Sequence, residues 1–255
     1  MSRSMKNAIV IGASSGIGEE FAKLLSKEGY RVGIAARRGD VMQKIAEENH
    51  INAVIREMDI AKPSEARGVF EEMVRVMTEE AKEDEGVIDM VVIASGVGKS
   101  DSMGNWEVSK WTNEVNVMGF TAIADASVAL FKKQKVGKLV GFGSIAGLRG
   151  MSGAPVYSAS KGYTVLYLEA ARQYFVSEGM KGVSVTAVLP GFVDTPMVRG
   201  NEGMFWVAPV EKAVRQTYRA IMKGKFYVVI TRRWRLIARL LKCLPRFVWF
   251  RVKCK

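Results

Sequence analysis

Several residue types are scarce in this chain of 255 residues, and each scarcity excludes something. There is one histidine, His50, and two cysteines, Cys243 and Cys254. Two cysteines placed so close together cannot form a disulfide framework, and His50 follows Glu47-Glu48-Asn49 in what reads as an exposed helix end. Neither a metal centre nor thiol chemistry is therefore expected. No segment is low in complexity, and there is no internal repeat. The apolar run at residues 7–11 is too short for the core of a signal peptide and lacks a small-residue cleavage site, so the expected location is the cytoplasm. Negative charge is missing from the tail: residues 223–255 hold eleven Lys or Arg and no Asp or Glu. Of the net charge of +12, only +1 belongs to the first 222 residues. The whole chain is 48% hydrophobic and 25% charged, enough for one large core of an ordinary α/β domain.

Residues 7–11 read as a buried strand, followed by Gly12-Ala13-Ser14-Ser15-Gly16-Ile17-Gly18 and then by residues 19–25, whose apolar positions recur at helical spacing. Glycines at such a turn permit positive φ and let the backbone approach a pyrophosphate, while the free N–H groups of the helix N-terminus attract its charge. The spacing is Gly-x-x-x-Gly-x-Gly, not the commoner Gly-x-Gly-x-x-Gly. Gly12, Ser14, Ser15, Gly16, Ile17 and Gly18 are thus candidate dinucleotide contacts, against the plainer reading of a turn that needs glycine only for packing. A second strand, residues 30–36, ends in Ala35-Ala36-Arg37-Arg38, and the first acid comes only at Asp40. A carboxylate here would bind an adenosine ribose hydroxyl, whereas an arginine's planar fork of donors suits a 2′-phosphate. Arg37 and Arg38 point to NADP(H), unless they are only solvated charge.

A third strand at 52–58 ends at Asp59-Ile60, where Asp59 either contacts an adenine amino group or caps the helix expected over 63–81. Residues 79–85 read as an acidic, solvated connection. A fourth strand at 88–93 leads into Ala94-Ser95-Gly96-Val97-Gly98, small residues that let a cofactor lie against the backbone. A long helix over 106–131 carries Asn116 between Val115 and Val117, and a buried amide must find partners. A fifth strand at 138–142 delivers Gly143-Ser144 at its carboxyl edge, where open α/β sheets bind ligands. A sixth at 183–189 stops at Pro190-Gly191-Phe192-Val193-Asp194-Thr195-Pro196, and residues 200–206 read as an apolar-tipped lid. A seventh strand is expected at 226–230.

Between these lies Tyr157-Ser158-Ala159-Ser160-Lys161. A tyrosine and a lysine four positions apart share one face of a helix. An ammonium one turn away favours the phenolate and lowers the phenol's pKa, so the pair can work as a general acid and base. The competing reading is a surface helix with a Tyr stem packed on a Lys.

Taken together these residues resemble the short-chain dehydrogenase/reductase family, in its classical branch. Gly12, Gly16 and Gly18, Asn116, Ser144, Tyr157 with Lys161, and Pro190-Gly191 with Thr195 stand in the family's order, over roughly residues 7–230. The resemblance implies that Tyr157 gives a proton to a substrate carbonyl oxygen as a nicotinamide delivers hydride to the carbon. It implies that Lys161 lowers the Tyr157 pKa and holds the nicotinamide ribose, that Ser144 orients the same oxygen, and that Asn116 holds a water leading to Lys161. Ala94, Ser95 and Gly96, with Pro190, Gly191, Val193 and Thr195, complete the implied cofactor contacts. A homo-oligomer, dimer or tetramer, is also implied. Two departures stand out: Ile93-Ala94-Ser95-Gly96 replaces the family's Asn-Asn-Ala-Gly, and the usual glycine-rich terminus is missing.

The expected architecture is therefore a Rossmann-like, doubly wound parallel sheet in a single α/β domain at 1–230, with a basic amphipathic C-terminal helix in 231–255. At about 100° per residue, Arg235, Arg239, Lys242 and Arg246 share a face, and Trp234, Ile237, Leu240, Leu241 and Leu244 spread over the other. Pro245 should end or kink the helix. Charges interrupt every apolar run of the tail well short of a membrane span. Three readings compete for residues 232–250: a helix on an anionic membrane surface, a helix packed on protein, and a nucleic-acid contact, which the neutral body disfavours. The expected substrate is a hydrophobic keto or hydroxy compound. The rivals are a reductase of small polar carbonyls and a non-catalytic NADP(H)-sensing or scaffold protein.

Overall fold

Seven apolar runs become the strands of one parallel sheet: β1 (Lys6–Ile11), β2 (Tyr30–Ala36), β3 (Ala53–Glu57), β4 (Met90–Ile93), β5 (Gly137–Phe142), β6 (Val183–Pro190) and β7 (Tyr227–Ile230). They are drawn from a computed structural model that describes residues 6–79, 86–98, 103–198 and 204–252. The order across the sheet is β3-β2-β1-β4-β5-β6-β7. β1 pairs with β2 on one side and β4 on the other, in registers such as Ile11↔Ala35 and Ile11↔Ile93. The loops leaving β1 and β4 therefore part company at the carboxyl edge, which opens a crevice at the point where the winding reverses.

The strands are nearly continuous apolar runs because helices cover both faces. Ile9, Ile11, Val91 and Ile93 point to one side, where α3 (Pro63–Glu79), α5 (Phe120–Gln134) and α6 (Pro155–Ser177) supply Phe70, Met73, Phe131, Leu168 and Phe175. Ala8, Val10, Met90 and Val92 point to the other, where α1 (Gly16–Lys27), α2 (Gly39–Glu48) and α7 (Val210–Met222) supply Phe21, Leu25, Met42, Val214 and Ile221. The reading of a Rossmann-like doubly wound sheet is what the structure shows.

The differences lie between strands. α7 was not anticipated, although it buries Ala213, Val214, Thr217, Ala220 and Ile221 at helical spacing, and α2 was foreseen only at its end, residues 47–49. The expected helix over 106–131 is α4 (Trp106–Asn113), a π turn (Glu114–Gly119) and α5. Residues Trp106–Gln134 are long and apolar enough to cross a bilayer by length and composition. Half of the most apolar stretch is buried, however, and Ile123 and Phe131 are fully enclosed in the core. After β7 come α8 (Trp234–Cys243) and α9 (Arg246–Trp249), broken at Pro245 as expected. The acidic connection at 80–85, residues 200–203 of the expected lid and Cys254 lie outside the described residues.

Candidate active site

At the crevice each glycine of the first turn has a steric reason. Gly12 sits at φ +87° and donates its N–H to the Ala35 carbonyl at 2.7 Å. A Cβ there would lie 2.6 Å from the Ser95 main-chain nitrogen, so the two loops meet backbone to backbone. Gly16, at φ +59°, leaves room for the Thr195 methyl, 3.1 Å from where its Cβ would be. Gly18 lies against the Gly12 carbonyl, which holds α1 close under the turn. Ser15, the N-cap of α1, makes no side-chain cap bond, and the first N–H groups of the helix stay available to an anion.

The crevice is lined by Gly12, Ser14, Ser15, Gly16, Ile17, Gly18, Arg37, Arg38, Asp59, Ile60, Ala94, Ser95, Gly96 and Thr195, together with Pro196 and Met197, which were not anticipated. Arg38 is exposed and donates to the Ser14 carbonyl and hydroxyl at 3.1 and 3.0 Å. Asp59 does not cap α3. Its carboxylate accepts from the Ala61 N–H at 3.1 Å, bracing the turn ahead of that helix while facing the crevice. The Ser95 hydroxyl is buried without a hydrogen-bond partner. A buried orphan hydroxyl, glycines with no room for side chains and free helix N–H groups fit a dinucleotide laid along this wall.

Beyond Gly96 the crevice meets the polar cluster. Pro155 at the first position starts α6 and fixes the phase at which Tyr157 and Lys161 point inward. Tyr157 is hydrogen-bonded to Ser144, whose Oγ also accepts from the Ala146 N–H at 3.1 Å. Lys161, 6% exposed, donates to the Phe142 carbonyl at 3.0 Å, and its ammonium lies 5.8 Å from the Tyr157 ring centroid. The β4 loop lies directly on this pair: a Cβ at Gly96 would be 2.9 Å from Lys161 Nζ, and one at Gly98 would be 2.9 Å from the Tyr157 ring.

Asn116 is presented by the π turn, a kind of irregularity that recurs at functional sites. Its amide accepts from the Val97 N–H at 2.8 Å, donates to the Val97 carbonyl at 2.7 Å and donates to Ser160 Oγ at 3.0 Å. Ser160 in turn donates to the Tyr157 carbonyl at 2.8 Å. Asn116 therefore ties the β4 loop to α6, and with both amide hydrogens engaged it offers a water only a lone pair of Oδ1. Val97 and Ser160 were missed because their partners come from distant parts of the chain.

The pKa expectation needs correction. Burial pushes the Tyr157 phenol above its ordinary value, and the Ser144 hydrogen bond only partly offsets this. Burial pushes Lys161 down to about 8. The ammonium is turned to the Phe142 carbonyl, and desolvation outweighs the neighbour's charge.

The turn after β6 departs from expectation too. Val193 is 3% exposed and packs into the core, bridging to Ala208, so its side chain is not a cleft contact. Gly191 has the indole of Trp234 against it, leaving no room for a Cβ. Pro190 ends β6 half-buried beside it. Trp234 is the first residue of α8, 2% exposed, with ring centroids of Phe192, Phe205 and Trp206 at 5.3, 5.1 and 6.1 Å. Arg149, in the loop after Ser144, donates to the carbonyls of Leu241 (2.7 Å), Lys242 (3.3 Å) and Leu244, satisfying the C-terminal end of α8. The Trp249 indole N–H donates to the Gly150 carbonyl at 3.0 Å. One face of the tail thus packs on the body and walls the Ser144 side of the site.

Known proteins resemble this chain in sequence and in fold. Residues 6–204 match the family described as short chain dehydrogenase. An uncharacterized oxidoreductase of Myxococcus xanthus is 32% identical over 248 residues, which cover 95% of this chain and 94% of that one. A 3-oxoacyl-[acyl-carrier-protein] reductase of Bos taurus is 29% identical over 196 residues, 76% of this chain and 78% of its own. Among solved structures, a short chain dehydrogenase/reductase from Burkholderia phymatum in complex with NAD superposes with TM-score 0.79 at 18% identity, covering 92% of each chain. A short-chain dehydrogenase from Sphingobium yanoikuyae in complex with NADPH gives 0.76 at 19%, over 97% of this chain and 96% of that one. The match spans both the glycine turn and the helix of Tyr157, and the chain belongs to the short-chain dehydrogenase family.

Proposed function

We propose that this protein is an NADP(H)-dependent oxidoreductase that interconverts a ketone and an alcohol on a hydrophobic substrate, such as a keto-lipid, a long-chain keto-acyl group or a steroid-like ketone. The cofactor choice is carried by one observation: β2 ends in buried Ala36, not in an acid, and is followed by exposed Arg37 and Arg38. The glycine turn, the two arginines, the β4 loop and Thr195 would hold the dinucleotide, and Lys161 would hold its nicotinamide ribose. When bound, the cofactor supplies hydride exchange with the substrate carbon. In the reducing direction Tyr157 donates its proton to the carbonyl oxygen, and its raised pKa keeps that proton in place at neutral pH. Ser144, already in hydrogen-bond contact with Tyr157, donates to the same oxygen and stabilises its developing charge. Buried Lys161 steadies the phenolate left behind.

The substrate class is supported by the aromatic cluster of Phe192, Phe205, Trp206 and Trp234 and by the bovine relative, a 3-oxoacyl reductase by name. Exposed Leu166 and Val176 on α6 support a homo-oligomer, which light scattering would size. The deciding experiment is calorimetric binding of NADPH and NADH to wild type and to Arg37→Ala/Arg38→Ala. A marked NADPH preference lost in the double variant is expected, while equal binding of both cofactors by wild type would overturn the NADP(H) assignment. Rates across a series of 3-keto substrates should rise with chain length, and a flat or falling series would favour a small polar carbonyl.

A further inference from the structure

α8 has two apolar faces. Trp234 and Ala238, at 2% and 4% exposure, are spent on the body. At about 100° per residue Leu236 and Leu240 form a second stripe on the opposite side, and they are 67% and 55% exposed. Past Pro245 the same surface character continues with Phe247 at 66% and Phe250 at 77%. A helix that had only to pack on its own domain would be polar there. Arg232, Arg235, Arg239 and Arg246 are exposed alongside, and no acid occurs from 223 to 255.

The occupant of such a face has to be apolar in depth and anionic at its surface. A second copy would set arginines against arginines. A nucleic acid would leave the leucines and phenylalanines uncovered and would find no cationic footprint on a body of charge +1. We propose that this face seats the protein on an anionic lipid bilayer. α8 lies in the headgroup plane, Leu236, Leu240, Phe247 and Phe250 reach toward the acyl chains, and the arginines meet the phosphates. The same segment is tied by Arg149 and Trp249 to the loop that follows Ser144, so docking holds the substrate side of the cleft beside the lipid. The inference rests on the tail surface and stands or falls independently of the cofactor and substrate assignment.

The test is sedimentation of the full chain with vesicles of phosphatidylcholine alone or of equal parts phosphatidylcholine and phosphatidylglycerol, at low and high salt. Binding to the mixed vesicles is expected, at least about ten-fold weaker on phosphatidylcholine alone and weakened by salt. Leu240→Gln/Phe247→Gln/Phe250→Gln should reduce partitioning about ten-fold or more, and Arg235→Gln/Arg239→Gln about five-fold per arginine. Dinucleotide binding and the melting midpoint should stay unchanged in both, since these side chains are exposed. No sedimentation with anionic vesicles would overturn the proposal. So would indifference to lipid charge, or a dimer mass that the apolar variant abolishes. Should a variant prove unstable, wild type under changed salt and lipid still separates these outcomes.

Discussion

α6 and α8 each bury a pair of side chains four residues apart, and the two pairs differ in kind. On α6 the pair is Tyr157 and Lys161, polar and buried, and their hydrogen bonds go to Ser144 and to the Phe142 carbonyl. On α8 it is Trp234 and Ala238, apolar and buried, with the Trp234 indole N–H left unpartnered. The first pair is held by specific partners, the second by shape alone. Tolerance to substitution follows from this: a polar pair in low dielectric fails when any one atom changes, whereas an apolar contact fails in proportion to the volume removed.

The contrast is tested most severely at Tyr157. Tyr157→Phe keeps the ring but removes the proton donor, and turnover should fall ~10²–10⁴-fold with the melting midpoint nearly unchanged, as single-turnover kinetics and calorimetry would show. Trp234→Ala should act the other way round. It empties the space over Gly191 and should cost about 3–5 kcal/mol in urea unfolding, whereas Trp234→Phe, which gives up an indole N–H that has no partner, should cost far less.

A subtler contrast lies in pH. The Lys161 value falls from 10.5 in the unfolded chain to about 8 in the folded one, so between those values the unfolded chain binds more protons. Stability of the cofactor-free protein should therefore rise with pH across that window. Below it the ammonium is charged in both states and its burial penalty is complete. Lys161→Met should flatten the rise and add up to roughly 3 kcal/mol at neutral pH, less what the Phe142 carbonyl loses. Trp234→Ala should leave the pH slope as it is. The smallest effect is expected of Arg149→Ala, which removes the donors from the end of α8 and should lower stability by about 1 kcal/mol while raising hydrogen exchange in the tail.

Much of this was legible because certain residue types have few uses. Glycines between a strand and a helix, two arginines where an acid would serve the other cofactor, and a Tyr-x-x-x-Lys spacing each point to a chemistry before any fold is known. Asn116 was legible as a buried amide in need of partners but not as a clamp, because Val97 and Ser160 reach it across 19 and 44 residues of chain. That the Val193 side chain goes to the core was not legible for the same reason: nothing local says which side of the β6 turn faces inward. The tail was read as an amphipathic helix with one apolar face, since periodicity averages over the circumference and cannot see that the body covers only part of it.

The sheet's strands, the glycine turn and the identities of the polar cluster follow from sequence alone, because each depends on local backbone preference or on the chemistry of one side chain. It took the folded arrangement to raise the Tyr157 pKa where its neighbour alone would lower it, to close Trp234 over Gly191 and to leave Leu236 and Leu240 uncovered. Those outcomes depend on desolvation and packing between segments far apart in the chain, and both are properties of the assembled volume.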